Sequence, residues 1–370
     1  MNKSNVYFTS FRVADGENLM QKLRRLCKKA GMERIDFKDK FTAIKMHFGE
    51  PGNLAFLRPN YAKTVVDHVA DLGGKPFLTD ANTLYTGKRR NALDHLDTAY
   101  TNGFSPFSAG CHVLIADGLK GTDDIKVDIQ GDYVRQAKIG RAVMDADVFV
   151  SLTHFKGHEA TGFGGTLKNI GMGCGSYEGK REMHSAEKPA VNRELCVGCE
   201  RCAAACAHDA ISMSAGKAYI NTAACTGCGR CITTCPEGAI RPMNDQANII
   251  LVKKIAEYAL AVVQGRPCFH ISLIMDVSPF CDCYSANDAP IVPDVGMLAA
   301  FDPVALDQAC ADLVNNQVPV RDSLLGERAR HHNSHDHFHT LFSGTDWQAG
   351  LAHAEKIGLG TRQYELVTMR

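Results

Sequence analysis

Fifteen cysteines stand among 370 residues, and eight of them fall into two runs. "CVGCERCAAAC" sets Cys196, Cys199, Cys202 and Cys206 at spacings of three, three and four. "CTGCGRCITTC" repeats this with Cys225, Cys228, Cys231 and Cys235, each offset by 29. Two-residue gaps let three thiolates converge on one face of an iron–sulfur cubane, and the small residues Gly198, Ala203, Gly227 and Gly229 keep side chains off the sulfurs. Zinc ribbons use cysteine pairs and have no need of eight thiols in this order. Dense cysteines in a reducing compartment serve metals or redox chemistry rather than structural disulfides.

A second concentration of chemistry is "HFKGHEATGFGGTLKN", His154 to Asn169, which places His154, Lys156, His158 and Lys168 among four glycines. Glycines of this density imply backbone that approaches a ligand or takes positive φ, yet the stretch fits neither the P-loop nor the dinucleotide pattern. His158 is followed ten residues on by Lys168 and sixteen beyond that by His184. Imidazoles and an amine gathered over glycine can ligate a metal, move a proton or hold a carboxylate. His158, Lys168 and His184 are therefore the candidate catalytic groups. Gly164, Gly165, Asn169, Asp80 and Asp302 are the candidate cofactor contacts.

"CDCYS" puts Cys281 and Cys283 on one side of an extended segment, with Asp282 between them, as a soft-metal site or a redox pair. "HHNSHDHFH" carries His331, His332, His335, His337 and His339, either a metal site or a solvated turn. Cys174 sits inside the glycine stretch, while Cys27 and Cys310 fall within helical patterns and belong to a core.

Short apolar runs ("VYFTSF", "FTAIKMHF", "PFLTDAN", "HVLIADG", "DVFVSLTHF") alternate with amphipathic stretches ("ENLMQKLRRLCKKAG", "RPNYAKTVVDHVADLGG", "VRQAKIGRAVMDAD"). The former predict strands and the latter helices. Beyond the cysteines, "NIILVKKIAEYALAVVQG" predicts a helix, "CFHISLIMD" and "GMLAAFD" strands, and "PVALDQACADLVNN" a helix starting on Pro303. The tail reads as a helix, a glycine stop and a strand. This alternation predicts an α/β fold with a mostly parallel sheet, interrupted by a small cysteine-rich module. The expected boundaries are 1–189 for the first part, 190–243 for the module and 246–370 for the completing part, with a separate C-terminal domain as the alternative. Ligands gather beyond the carboxyl ends of parallel strands, where this reading sets His47, Asp80, Asp117, His154, Asp276 and Asp302 on one rim.

The doubled cysteine run resembles the bacterial two-cluster ferredoxin module, apart from Ala207 where proline is usual, as at Pro236. That resemblance implies one [4Fe–4S] cluster on Cys196, Cys199, Cys202 and Cys235, and a second on Cys225, Cys228, Cys231 and Cys206. "IKMHFGEPGN", "TDANTLYTG", "HFKGHEATGFGGTLKNIGMGC", "CDCYSANDAPIVPDVGML" and "FDPVALDQA" together resemble the domain-of-unknown-function 362 iron–sulfur proteins, a name that carries no reaction. The glycine stretch also resembles, more distantly, the lactate-racemase-like enzymes. By that likeness Lys168 would bond a nickel-pincer nucleotide, His184 would ligate the metal and His158 would serve proton or hydride chemistry. The cysteine array is foreign to those racemases.

Lys plus Arg and Asp plus Glu both total 41, so no bulk charge advertises nucleic acid or membrane. No signal-like leader and no apolar run of membrane length stands out, so a cytoplasmic chain is expected. The reading is an iron–sulfur oxidoreductase of anaerobic chemistry, passing single electrons between two clusters and a substrate or cofactor at the glycine stretch. A second metal or a nucleotide-type cofactor there, and a redox partner protein or a small-molecule substrate, complete the expectation. A plain ferredoxin-type carrier and an isomerase with structural clusters are the other classes.

Overall fold

The computed structural model describes every residue except 1–2, 14–15, 86, 185–187, 228, 243–245, 331–333 and 370, so Cys228, His331 and His332 lie outside the described residues. The body is an eight-stranded sheet. Its strands are β1 (Ser4–Ser10), β2 (Phe41–Lys45), β3 (Lys75–Asp80), β4 (Val113–Ile115), β5 (Val148–His154), β6 (Cys268–Ile274), β7 (Gly296–Ala300) and β8 (Tyr364–Thr368). In space they run β8-β1-β7-β6-β5-β2-β3-β4. Only β7 is antiparallel to its neighbours β1 and β6; the rest pair in parallel. Strands from before and after the cysteine runs thus share one sheet, with Leu152 of β5 opposite Ile271 of β6.

Helices cover both faces, which is why the central strands read as continuous apolar runs. All seven residues of β5 are buried. Val148, Val150 and Leu152 face the core shared with the helices Leu19–Lys29 and Pro59–Asp71, while Phe149 faces the core shared with Ala247–Val263 and Pro303–Asn315. Among the described residues no helix is long and apolar enough to cross a membrane.

Three sequence expectations need correction. The stretch 134–147 was expected to be helical, but Gln136–Gly140 is a strand paired with Asp124–Asp128, and only Arg141–Asp145 is helix. Ala137 and Ile139 point inward, a period of two that outweighs the helical reading. The glycine density implied backbone laid open to a ligand, but Lys156–His158 and Gly162–Gly164 form a hairpin that leads into the helix Thr166–Cys174. Asp302 is not on the rim with the other five polar residues. β7 runs the other way, so Asp302 lies at the opposite rim, by the amino ends of the parallel strands, capping Val304 and Ala305 and accepting from Ser4 Oγ at 2.7 Å and the Thr361 N–H at 2.9 Å.

The cysteine module packs Pro189–Val191 against Ile240–Pro242 and adds the hairpin Ile211–Ser214 with Lys217–Ile220. Two short helices, Arg201–Ala204 and Arg230–Thr234, pack together, and Cys202, Ala218, Ile220, Cys231 and Ile240 form a small core. The sequence repeat is also a conformational one. Gly198 (φ 74°) matches Gly227 (φ 78°), and Glu200 (φ 60°) matches Gly229 (φ 74°).

Candidate functional site

The glycines of the loop answer mainly to packing. A Cβ on Gly157 would meet the Pro279 carbonyl at 2.4 Å, one on Gly165 the Asp307 carboxylate at 2.4 Å, and one on Gly171 the Ile255 carbonyl at 2.1 Å. Gly171 is where Thr166–Cys174 crosses the long helix Ala247–Val263 at backbone contact. Asp307, from the helix Pro303–Asn315, accepts the Thr166 N–H at 2.6 Å and the Leu167 N–H at 2.8 Å. It fills the helix start where a phosphate would otherwise bind, and burial pushes its carboxyl up to about 6. The glycines therefore let a helix and a carboxylate close in, and the phosphate-cradle reading is not needed.

What this packing shapes is a cavity of about 460 Å³. His158, Lys168 and His184 line it together, as do Gly164, Gly165, Asn169 and Asp80. Cys281 and Cys283 line it as well. The Lys168 Nζ lies 3.5 Å from the Cys281 sulfur. Hydrogen bonding from Cys283 holds the Cys281 thiol well below its usual range, and the Cys283 thiol rises in turn, so the pair shares one negative charge. Burial opposes the Lys168 ammonium, but the Cys281 and Cys283 sulfurs prevail and raise it. Burial and the Lys168 charge keep the His158 ring neutral, well below its ordinary value, and burial takes His184 down to about 4. Both rings are thus acceptors or neutral donors near a lysine ammonium.

Asp282 points away from the cavity and pins the thiol segment. It accepts from His154 Nδ1 at 2.8 Å and faces Lys156 Nζ at 3.1 Å, all three groups being buried. Asp80 is likewise engaged, with Lys45 at 2.9 Å and Arg89 at 3.3 Å, and Arg89 also holds Glu50 at 2.7 Å. Asn169 accepts from Lys45 at 2.9 Å and donates to Thr153 Oγ1 at 3.0 Å. Asp80 and Asn169 therefore brace the cavity floor through the Lys45 ammonium.

The cysteine module contributes to the same cavity: Gly227, Gly229, Arg230 and Ile232, from the second run, line it. The Arg230 guanidinium stands over the Tyr85 ring at 5.3 Å and the Tyr284 ring at 5.2 Å. At the first run, next to Ala207, His208 Nε2 sits 3.2 Å from the Leu84 carbonyl.

Cys196, Cys199, Cys202 and Cys235 line one small cavity of about 20 Å³. Backbone N–H groups point at its sulfurs, from Ala218 to Cys196 at 3.4 Å and from Ala239 to Cys235 at 3.3 Å. These hydrogen bonds hold the Cys196 thiol below its ordinary value. This donor set suits a [4Fe–4S] cluster. The second set is described for Cys206, Cys225 and Cys231, with the Gly227 N–H on the Cys225 sulfur at 3.4 Å. Among the described residues no three His, Cys, Asp or Glu side chains gather closely enough to share one metal ion; a cubane spreads its thiolates over four irons, farther apart than the ligands of a single ion.

Of the histidine run 331–339, three members are described. His337 is buried and paired with the Gln317 carbonyl at 2.8 Å, while His335 and His339 are exposed. Sequence reasoning missed Glu159, Lys180, Arg230 and Tyr85 as cavity residues. Glu159 follows His158 directly, and burial together with the Cys281 charge raises its carboxyl. Arg230 lay in plain view between two cluster-type cysteines, but its partners are tyrosines some 145 and 54 residues away in the chain.

A family model described as a domain of unknown function (DUF362) matches residues 42–312. A curated relative, the thylakoid-associated protein sll1697 of Synechocystis sp. (strain ATCC 27184 / PCC 6803 / Kazusa), is 25% identical over 143 residues. That match spans 39% of this chain and 40% of the relative, well under half its length. Among solved structures, the lactate racemase apoprotein of Thermoanaerobacterium thermosaccharolyticum is 12% identical with a TM-score of 0.34, covering 73% of this chain and 51% of that one. A structural-genomics protein from Thermotoga maritima is 14% identical with a TM-score of 0.36, covering 79% of this chain and 57% of the other. With the family model matching well over half of its residues, the chain belongs to the DUF362 family.

Proposed function

We propose that this chain is an iron–sulfur redox protein in which a substrate cavity is served by two [4Fe–4S] clusters on the cysteine module. Cys196, Cys199, Cys202 and Cys235 would hold one cluster, and Cys225, Cys228, Cys231 and Cys206 the other. Such clusters supply electrons one at a time. The observation that carries the reading is the shared cavity: Gly227, Gly229, Arg230 and Ile232 of the module line it together with Lys168, Cys281 and His158. Lys168 and Arg230 make the site attractive to an anionic group, and the neutral His158 and His184 rings can accept or donate a proton beside it. The apolar residues Leu251, Ile255 and Phe342 also line the cavity.

A plain carrier would have no use for this chamber. The second reading, an isomerase with a nickel-pincer nucleotide on Lys168 and a metal on His184, is favoured by the convergence of Lys168, His184 and His158 at one cavity. Elemental analysis of protein purified without oxygen separates them. The redox reading expects about eight irons and about eight sulfides per chain, with no further metal and no adduct on Lys168. Nickel with an adduct on Lys168 supports the isomerase, and zinc without sulfide removes the cluster reading.

A further inference from the structure

The segment Cys281–Tyr284 is a tight turn closed by the Tyr284 N–H on the Cys281 carbonyl at 2.9 Å. It sets Cys281 and Cys283 at the first and third positions, a separation across which two sulfurs can meet. Three ties hold it: Asp282 to His154 and Lys156, Asn53 Nδ2 to the Tyr284 carbonyl at 2.8 Å, and Gly52, whose bare backbone sits against the Ser285 carbonyl. Both sulfurs reach the cavity, one beside Lys168, and Arg230 of the module stacks on Tyr284, the residue after Cys283. Glu159 Oε2, also at the cavity, has no hydrogen-bond partner among the described residues.

We propose that Cys281 and Cys283 are a reversible dithiol–disulfide couple that reduces a small disulfide bound in the cavity. The Cys281 thiolate attacks one sulfur of the substrate, whose S–S bond breaks, and the leaving sulfur takes a proton, for which Glu159 is placed. The Cys283 thiol then gives up its proton to the second substrate sulfur and bonds to Cys281, releasing that sulfur as a thiol. One disulfide, the Cys281 thiolate, the Cys283 thiol and one added proton thus become two substrate thiols and one Cys281–Cys283 bond. Restoring the couple takes two electrons and one proton, breaks that bond, and leaves the thiolate beside Lys168 and the thiol on Cys283. For those electrons the proposal rests on the iron–sulfur reading, which supplies one-electron donors at the module wall.

The test uses the full chain prepared without oxygen and poised in dithiothreitol buffers of stepped potential. After an acid quench and alkylation, the Cys281–Cys283 peptide is weighed, and iron and sulfide are measured on the same sample. The expected result is one two-electron transition between a doubly alkylated peptide and an unlabelled one lighter by two hydrogens. Oxidised glutathione drives it to the unlabelled form, and Cys283→Ser stops at a mixed disulfide on Cys281. Lys168→Met, which removes the charge stabilising the reduced form, shifts the equilibrium about tenfold towards the disulfide, about 30 mV lower. A peptide that stays doubly alkylated throughout, or loses one label at a time, overturns the couple even where iron and sulfide are full. Absent iron and sulfide alongside an intact transition would sink the cluster reading alone.

Discussion

On the sheet side, the cavity wall is fixed by buried charge: Asp282 between His154 and Lys156, Asp80 between Lys45 and Arg89, and Asp307 on the start of the loop helix. On the module side, Gly227, Gly229, Arg230 and Ile232 line the cavity, and the Arg230 guanidinium over two tyrosine rings and His208 on a carbonyl are among the contacts to the sheet side. Buried ion pairs cost several kcal/mol to break, whereas cation–π contacts contribute about 0.5–2 kcal/mol each. The contacts on the binding side are thus the costlier ones to remove one at a time, and the module keeps a small core of its own.

Substitutions on the two walls should therefore differ in size. Asp282→Ala strands the Lys156 ammonium and the His154 ring in the interior and should lower stability by about 3–5 kcal/mol, read by urea denaturation. The same residue sets an acid limit. Burial works against its carboxylate, but His154 and Lys156 hold its folded value below the ordinary 3.8. Its contribution is complete above that range and is lost as pH falls below about 4; Asp282→Asn should flatten that acid limb of the denaturation curve.

Gly171→Ala pushes a methyl into the Ile255 carbonyl behind the chamber and should cost about 1–3 kcal/mol. Arg230→Leu should leave the melting of the sheet domain within about 1 kcal/mol of wild type, while amide exchange across residues 189–242 quickens. An equal loss of protection in β5 and β6 would erase the contrast between the walls.

The smallest effect belongs to Asp307. Burial raises its folded value from 3.8 to about 6, so the native state binds the proton more tightly and stability falls as pH rises between those values. Asp307→Asn should remove that slope while leaving the plateau above pH 6 shifted by only about 1 kcal/mol.

The internal repeat of the cysteine runs was legible because it is written in consecutive residues, and the backbone repeats it in the matching left-handed positions at Gly198 and Gly227. The parallel sheet was legible for a similar reason, since strands such as Val148–His154 are buried on both faces and carry an unbroken apolar run. The glycine loop was legible only as a place. Its glycines looked like a ligand cradle, but what they admit is Asp307 and Ile255, 142 and 84 residues further along, from Gly165 and Gly171 respectively. Nothing near Gly165 in the chain announces that partner. Asp302 misled for a topological reason, because a helix cap and a rim ligand look alike until the direction of β7 is known. Arg230 and Glu159 escaped because each matters through groups brought in by the fold: two tyrosine rings for one, the Cys281 charge for the other.

The most direct test of the shared chamber is a redox titration of the anaerobic protein followed by electron paramagnetic resonance, comparing wild type with Lys168→Met. Two one-electron centres should appear. Loss of the lysine charge should move one of them to lower potential, since a nearby cation favours the more negative reduced form, and leave the other in place. No such signals, or two that ignore the substitution, would contradict a cluster at the wall facing Lys168.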